Sequence, residues 1–230
     1  RLIAEDGRVL IPLDDAAAGA PSHSIHLKPL AEDALSLPVR TGKARVIGIE
    51  PASLVTKSLV REVNTDDAGC FQSALNPGLT KIAVIERHKR TGKRGIGILE
   101  GYGLTGGAIA TTISHDSHNI VVAGDNDPDM LLAVRELADM GGGIVSVHGG
   151  AIRRLPLPIA GLMTSADPQE VNAVLHDMLV AARAELGIPE DVEPFMTLSF
   201  MALPVIPELK LTARGLFNVN TFSFVGVEAD

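Results

Sequence analysis

Short runs of β-branched and aliphatic residues recur through the middle of the chain, at residues 44–49, 80–85, 95–99, 108–113 and 119–124, with glycine separating many of them. Each run is too short for a helix and rich in the Val and Ile that suit a pleated, buried surface, so five strands are predicted. Ahead of them, residues 1–13 alternate around Asp6-Gly7, a turn pair that favours positive φ, which predicts one β-hairpin. Residues 14–42 keep no period. Pro21, Pro29 and Pro38 interrupt them, and a connector draped over a surface is expected there. Residues 52–63 stay ambiguous: Leu54, Val55, Leu59, Val60 and Val63 fit a helix, whereas Val and Thr also fit a strand.

Two helices announce themselves by their ends. Asp127-Pro128 reads as an N-cap followed by proline at the first helical position, with Met130, Val134, Leu137 and Ala138 on one face and Gly141-Gly142-Gly143 as the stop. Asp167-Pro168 repeats that start and adds Glu170 three residues after the cap. The stripe Val171, Val174, Leu175, Met178, Leu179, Ala182 and Leu186 follows, ending at Gly187 and Pro189. Between the helices, residues 144–147 and 151–157 flank His148-Gly149-Gly150 and predict a hairpin. A last apolar run, residues 196–203, reads as a buried strand. The order of elements predicts mixed α/β layers, a β-sheet with packed helices, but no particular strand order, and no internal repeat is visible.

Composition narrows the possible partners. Of 230 residues 46% are hydrophobic, yet there are six Phe, one Tyr and no Trp, so the core must be aliphatic and aromatic stacking platforms for bases are not expected. A formal charge of −8 opposes nucleic-acid binding, which depends on a basic footprint. The single Cys70 excludes an intramolecular disulfide framework and a cysteine-rich zinc site, in keeping with a reducing cytoplasm. No run of about 18 apolar residues points to a membrane, and no signal-peptide pattern opens the chain. The start at Arg1, inside a hairpin-like segment, fits a fragment or processed product of a larger protein.

The strongest local constellation is Ser114-His115-Asp116-Ser117-His118-Asn119, six consecutive polar residues between two apolar strands. Buried or half-buried polar groups need partners, so something must satisfy them. Two imidazoles, a carboxylate, two hydroxyls and an amide offer donors, acceptors and proton carriers for a polar heterocycle. A hydrogen-bonded turn with Asp116 and Asn119 capping backbone groups is the plainer alternative. Metal ligation by His115 and His118 is weakly supported, because their spacing lacks the helical i, i+4 arrangement and no second acidic cluster pairs with them. His23, His26, His148 and His176 read as incidental. The basic run Arg87 to Arg94 could hold a phosphate or be a solvated loop around Thr91-Gly92, and the acidic balance favours the loop. The glycines from Gly95 to Gly107 open no helix with a phosphate cradle, so dinucleotide binding is not expected. Neither a Gly-x-Ser-x-Gly elbow nor the Pro-Cys-x-x-Cys of zinc deaminases occurs, and nothing marks Cys70 as a nucleophile.

A family resemblance adds to this reading. The ordered set Glu86-Arg87-His88, Thr91-Gly92-Lys93, Gly101-Tyr102-Gly103-Leu104, Gly107-Ala108-Ile109-Ala110, His115-Asp116-Ser117-His118-Asn119 and Gly141-Gly142-Gly143 resembles the carboxy-terminal region of bacterial adenine deaminases. So do residues 155–163, 194–200 and 203–210. The resemblance implies two segments: a hairpin and connector over residues 1–42, leading from a missing amino-terminal region, and a carboxy-terminal α/β domain over 43–230. It implies membership of the amidohydrolases, whose metal centre lies in an amino-terminal barrel with a His-x-His strand motif that this chain lacks. For the intact enzyme it implies hydrolysis of adenine to hypoxanthine and ammonia by metal-bound hydroxide. The metal would be a dinuclear manganese or iron centre in the barrel, with none in this chain. The expected partners are the barrel, adenine and further copies in a homo-oligomer, with no nucleic acid and no membrane; this chain alone is expected to be inactive. His115, Asp116, His118 and Asn119, and secondarily Ser114 and Ser117, are candidates to line the purine pocket, with a purely structural turn kept open. A free-standing, non-catalytic purine-binding or assembly module is the alternative function.

Overall fold

The computed structural model describes residues 2–11 and 22–229. Strands β1 (Ala4–Glu5) and β2 (Arg8–Val9) form the expected hairpin, with Asp6 at φ 48° and Gly7 at φ 74° supplying the turn. The first part of the connector, residues 14–21, lies outside the described residues. Its second part is more than a surface cover: Leu35 is fully buried, Ala34 packs beside it, and Leu37 and Val39 enter the core two residues apart. Proline breaks the period without preventing burial of alternate residues, and the strap is held both by these side chains and by backbone hydrogen bonds, Val39 N to Gly69 O at 3.0 Å and Phe71 N to Leu37 O at 2.8 Å among them.

Eight strands make the main sheet: β3 (Lys43–Ile49), β4 (Thr56–Glu62), β5 (Leu79–Ile85), β6 (Arg94–Glu100), β7 (Gly107–Thr111), β8 (Ile120–Gly124), β9 (Gly143–His148) and β10 (Ala151–Pro156). Their spatial order is β10-β9-β7-β8-β5-β6-β3-β4, antiparallel except where β3 meets β6. The ambiguous 52–63 segment resolves as edge strand β4. Lys57 and Glu62 are exposed along it and Arg61 is half-buried, charges that discourage edge-to-edge association.

Side chains alternate across the central strands. Ile82, Val84, Ile109, Val121 and Ala123 face one way, and Ala83, Ile85, Ala108, Ala110, Ile120 and Val122 face the other. Helix α1 (Asp127–Asp139) lays Met130, Leu131, Val134 and Leu137 on the second face. The alanines there leave room for the helix backbone to come close. Its cap differs from the sequence expectation: Asn126 is extended and its side chain accepts from Asp129 N at 2.9 Å, so Asp127 is already helical. Asp127 and Asp129 then sit in the first turn, where carboxylates complement the helix dipole.

The opposite face is covered by helix α2 (Pro168–Ala184), helix α3 (Pro194–Phe200) and a three-stranded sheet of β11 (Leu209–Thr212), β12 (Gly215–Asn218) and β13 (Ser223–Val225). Asp167 caps α2 as expected, its carboxylate accepting from Gln169 N at 2.8 Å. The strand expected at 196–203 is instead α3. Pro194 stands in its first turn and Glu193 caps it. Phe195 and Leu198 point inward while Met196 points out, a helical spacing that a nearly continuous apolar run conceals. The small sheet lies close on β6: a Cβ on Gly95 would fall 2.0 Å from the Thr212 carbonyl oxygen, so only glycine admits this packing.

Candidate functional site

Register places two loops side by side. Ile85, the last residue of β5, pairs with Ile120, the first of β8, and Thr111 at the end of β7 pairs with Val121. The β5–β6 loop, with its basic run, and the β7–β8 loop, with the six polar residues, therefore leave the same end of the sheet.

The polar loop is built from the inside out. Ser114 is fully buried; its carbonyl accepts from His118 N at 2.5 Å and its N–H reaches His118 Nδ1 at 3.4 Å, closing a turn in which His118 has φ 46°. His115 donates its backbone N–H to Ser199 O of α3 at 3.0 Å and lays its ring against Phe200, centroids 4.5 Å apart. The two imidazoles approach edge-on at 5.8 Å. Burial lowers the pKa of His118, and neighbouring His115 and Arg87 lower it further against the pull of Asp116, so the neutral ring is favoured. Asn119 is buried; its Oδ1, like the hydroxyl of Ser114, has no hydrogen-bond partner among the described residues. Asp116 and Ser117 are exposed.

The neighbouring loop folds around Glu86, whose carboxylate accepts from the backbone N–H of His88 (2.6 Å), Lys89 (2.8 Å) and Thr91 (3.0 Å) and from the Thr91 hydroxyl (2.7 Å). Burial opposes its ionisation, but these four donors outweigh burial and hold the carboxyl at about 2. The acidic balance favours a solvated basic loop here, and Lys89, Arg90 and Lys93 are exposed accordingly. Arg87 is not: it is 1% exposed and directed inward. The strap reaches this loop too, since His26 N donates to Arg87 O at 2.6 Å and Arg90 N to His26 O at 3.1 Å.

Between the loops and the small sheet opens a cavity of about 1000 Å³. Asp116, Ser117 and Asn119 line it on the polar side, with Glu86, His88 and Lys93 beside them. Across from these stand Leu203 and Val205 after α3, Phe217 of β12, Phe222 in the β12–β13 turn and Phe224 of β13. Phe217 meets Phe222 at 5.3 Å and Phe224 at 5.1 Å, both edge-to-face, and Arg214 lies 4.6 Å over the Phe224 ring. The low aromatic count argued against a stacking platform. Folding nonetheless gathers three of the six Phe at one wall, a concentration that composition cannot reveal.

Of the six candidates the structure thus brings Asp116, Ser117 and Asn119 to the cavity, while Ser114, His115 and His118 form the frame beneath them. Sequence reasoning treats Arg87 only as part of a basic run and gives Glu86 and the Phe wall no place at the site. Arg87 was hidden by its basic neighbours, although its place directly after an apolar strand and an acid was the available signal. His148 ends β9 and its Nδ1 lies 2.8 Å from Gly106 O; His176 is exposed on α2, and His23 and His26 are exposed on the strap. Among the described residues no group of three or more His, Cys, Asp or Glu side chains could hold a metal ion, and no helix is long and apolar enough to cross a membrane.

Comparison with known proteins places this geometry in a family. Residues 53–223 match the family model of the adenine deaminase C-terminal domain. The chain is 57% identical over 228 residues to an adenine deaminase of Nitratidesulfovibrio vulgaris, a match covering 99% of this chain and 39% of that protein. It is 46% identical to adenine deaminase 2 of Carboxydothermus hydrogenoformans, over 99% of this chain and 40% of the relative. With an adenine deaminase of Geobacillus kaustophilus it shares 42% identity, over 100% and 40% respectively. The chain therefore spans about two fifths of the length of the curated relatives it matches.

Proposed function

Because the chain belongs to the adenine deaminase C-terminal domain family, we propose that it serves a complete enzyme that hydrolyses adenine to hypoxanthine and ammonia. Its part is to pack against a preceding barrel and to present the 114–119 loop as one wall of the purine pocket. A dinuclear manganese or iron centre would be held by that barrel, as the family resemblance implies, and no step through the metal is assigned to the residues of this chain. The enzyme is further proposed to be a cytoplasmic homo-oligomer.

The observation that carries this reading is the cavity itself. Asp116 and Ser117, both exposed, face an apolar wall ending in Phe222 and Phe224 across a space of about 1000 Å³. Flat heterocycles suit such a space: apolar surface takes the ring faces and a few fixed polar groups read the edge. Within it Asp116 would accept hydrogen bonds from a purine N–H and Ser117 would donate or accept at the ring edge. His118, held neutral, would orient Ser114 and its own turn. Its imidazole stays within reach of a proton because its frame position is only partly buried.

The test is kinetics and denaturant unfolding on the same variants of the complete enzyme. His115→Ala, Asp116→Ala and His118→Ala are expected to lower turnover on adenine about 10²-fold or more while shifting stability far less. His148→Ala, in a hairpin remote from the cavity, serves as control. Near-normal rates in all three, or losses that follow unfolding, would leave the loop a structural turn.

A further inference from the structure

Arg87 is a buried cation that the proposed chemistry does not use. It is 1% exposed, and no carboxylate among the described residues forms an ion pair with it. Its partners are neutral oxygens from three separate segments. Nε donates to His118 O, Nη1 to Ser24 Oγ at 3.0 Å and Ser24 O at 3.4 Å, and Nη2 to Ala160 O at 3.0 Å. Gly161 makes room for the guanidinium: a Cβ there would stand 2.9 Å from Nη1. Burying a cation without a counter-ion is costly, and an apolar side chain would anchor the end of β5 more cheaply. What only a planar fork of five donors achieves is to fix three carbonyl-bearing segments at once.

One of those segments is the polar loop. His88, the next residue, brings Nε2 within 2.8 Å of Ser117 O, so consecutive side chains 87 and 88 hold consecutive carbonyls 117 and 118. With the Ser114–His118 turn closing the other side, the loop backbone is fixed while Asp116 and Ser117 remain directed at the cavity. We propose that Arg87 is a positioning residue for the purine site, acting through the carbonyl of His118 and locking the 114–119 loop to the strap at Ser24 and to the 157–163 loop. The proposal rests on reading that loop as a wall of the site. Misplacing a reacting or orienting group by about 1 Å costs on the order of 10²-fold in rate, so loss of the lock is read in turnover before it is read in folding.

Arg87→Ala, Arg87→Lys and Asp116→Ala in the complete enzyme provide the test, assayed well below their unfolding midpoints. Turnover on adenine, response to added guanidinium ion and amide hydrogen exchange over 114–119 are measured together. Arg87→Ala is expected to lose about 10–100-fold in turnover, to regain part of it in millimolar guanidinium, and to exchange faster at 114–119 while β8 and α1 stay protected. Arg87→Lys keeps the charge but not the fork, and is expected to remain at least about 10-fold slow; it carries the comparison if the alanine variant does not fold. Wild-type turnover in folded Arg87→Lys, or a loss that follows unfolding and ignores guanidinium, overturns the positioning role. If Asp116→Ala is impaired while both Arg87 variants are normal, the wall reading stands and Arg87 is not its lock; if all three are normal, the wall reading itself is lost.

Discussion

Lys210 shows how a single residue can work against the fold that contains it. It is fully buried in β11, with one hydrogen bond, from Nζ to Leu54 O at 2.8 Å, and burial pushes its pKa down to about 8. Because this folded value lies below that of an exposed lysine, the unfolded chain binds more protons between pH 8 and 10.5, and Lys210 makes stability rise with pH across that window. Lys210→Met is therefore expected to be neutral or stabilising at pH 7, by about 1–3 kcal/mol, with the gain shrinking toward pH 10.5 in denaturant melts. A variant clearly less stable at pH 7 would show that the Leu54 contact outweighs the buried charge. Glu86 has the opposite sign. Its carboxyl, held at about 2 against an ordinary 4.5, contributes stability above pH 4.5 that is lost as pH falls through 2. Glu86→Gln is expected to cost about 1 kcal/mol at pH 7, kept small by solvent screening, and nothing near pH 2; an equal cost at both pH values would assign the loss to shape instead. At this scale the sequence exposed the polar loop, since six polar residues between apolar strands stand out by pattern. It concealed Arg87, whose surroundings in the text are basic and whose surroundings in space are carbonyl oxygens.

Elements were legible where one face was wet or an end was marked. The central strands were found as apolar runs, and α1 and α2 by Asp-Pro starts and glycine stops, although the cap of α1 moved one residue to Asn126. Helix α3 is illegible in the sequence because the polar Thr197 and Ser199 are buried with Phe195 and Leu198 while the apolar Met196 is exposed, so polarity does not mark its wet face. Its end does carry a marker, the Glu193 carboxylate accepting from Met196 N. Glu193→Ala is expected to lower stability by about 1 kcal/mol, and Leu198→Ala, at the centre of the same helix, by about 2–5 kcal/mol through a core cavity. Equal, negligible effects in chemical denaturation would argue against a capped helix packed on the sheet. Strands β11–β13 escaped notice for another reason: they have only 4, 4 and 3 residues, too few for a period to develop.

At the scale of the whole molecule, the two polar loops at one end of the sheet adjoin an apolar rim. Val205 and Phe222 are 66% and 76% exposed beside the cavity, an apolar rim of the kind that marks an interaction or binding surface. The chain spans about two fifths of its relatives, so purified alone with manganese or iron it is expected to release no ammonia from adenine above background; metal-dependent turnover would refute the division of labour proposed here. The most direct test of the central claim is amide hydrogen exchange across 114–119 in the complete, metal-loaded enzyme, with and without saturating hypoxanthine. If the loop walls the purine site, ligand should slow its exchange about tenfold or more, equivalent to roughly 1.4 kcal/mol of added protection, while the His148 hairpin is unchanged. Exchange at 114–119 that ignores hypoxanthine, in an enzyme shown to have bound it, would contradict the claim.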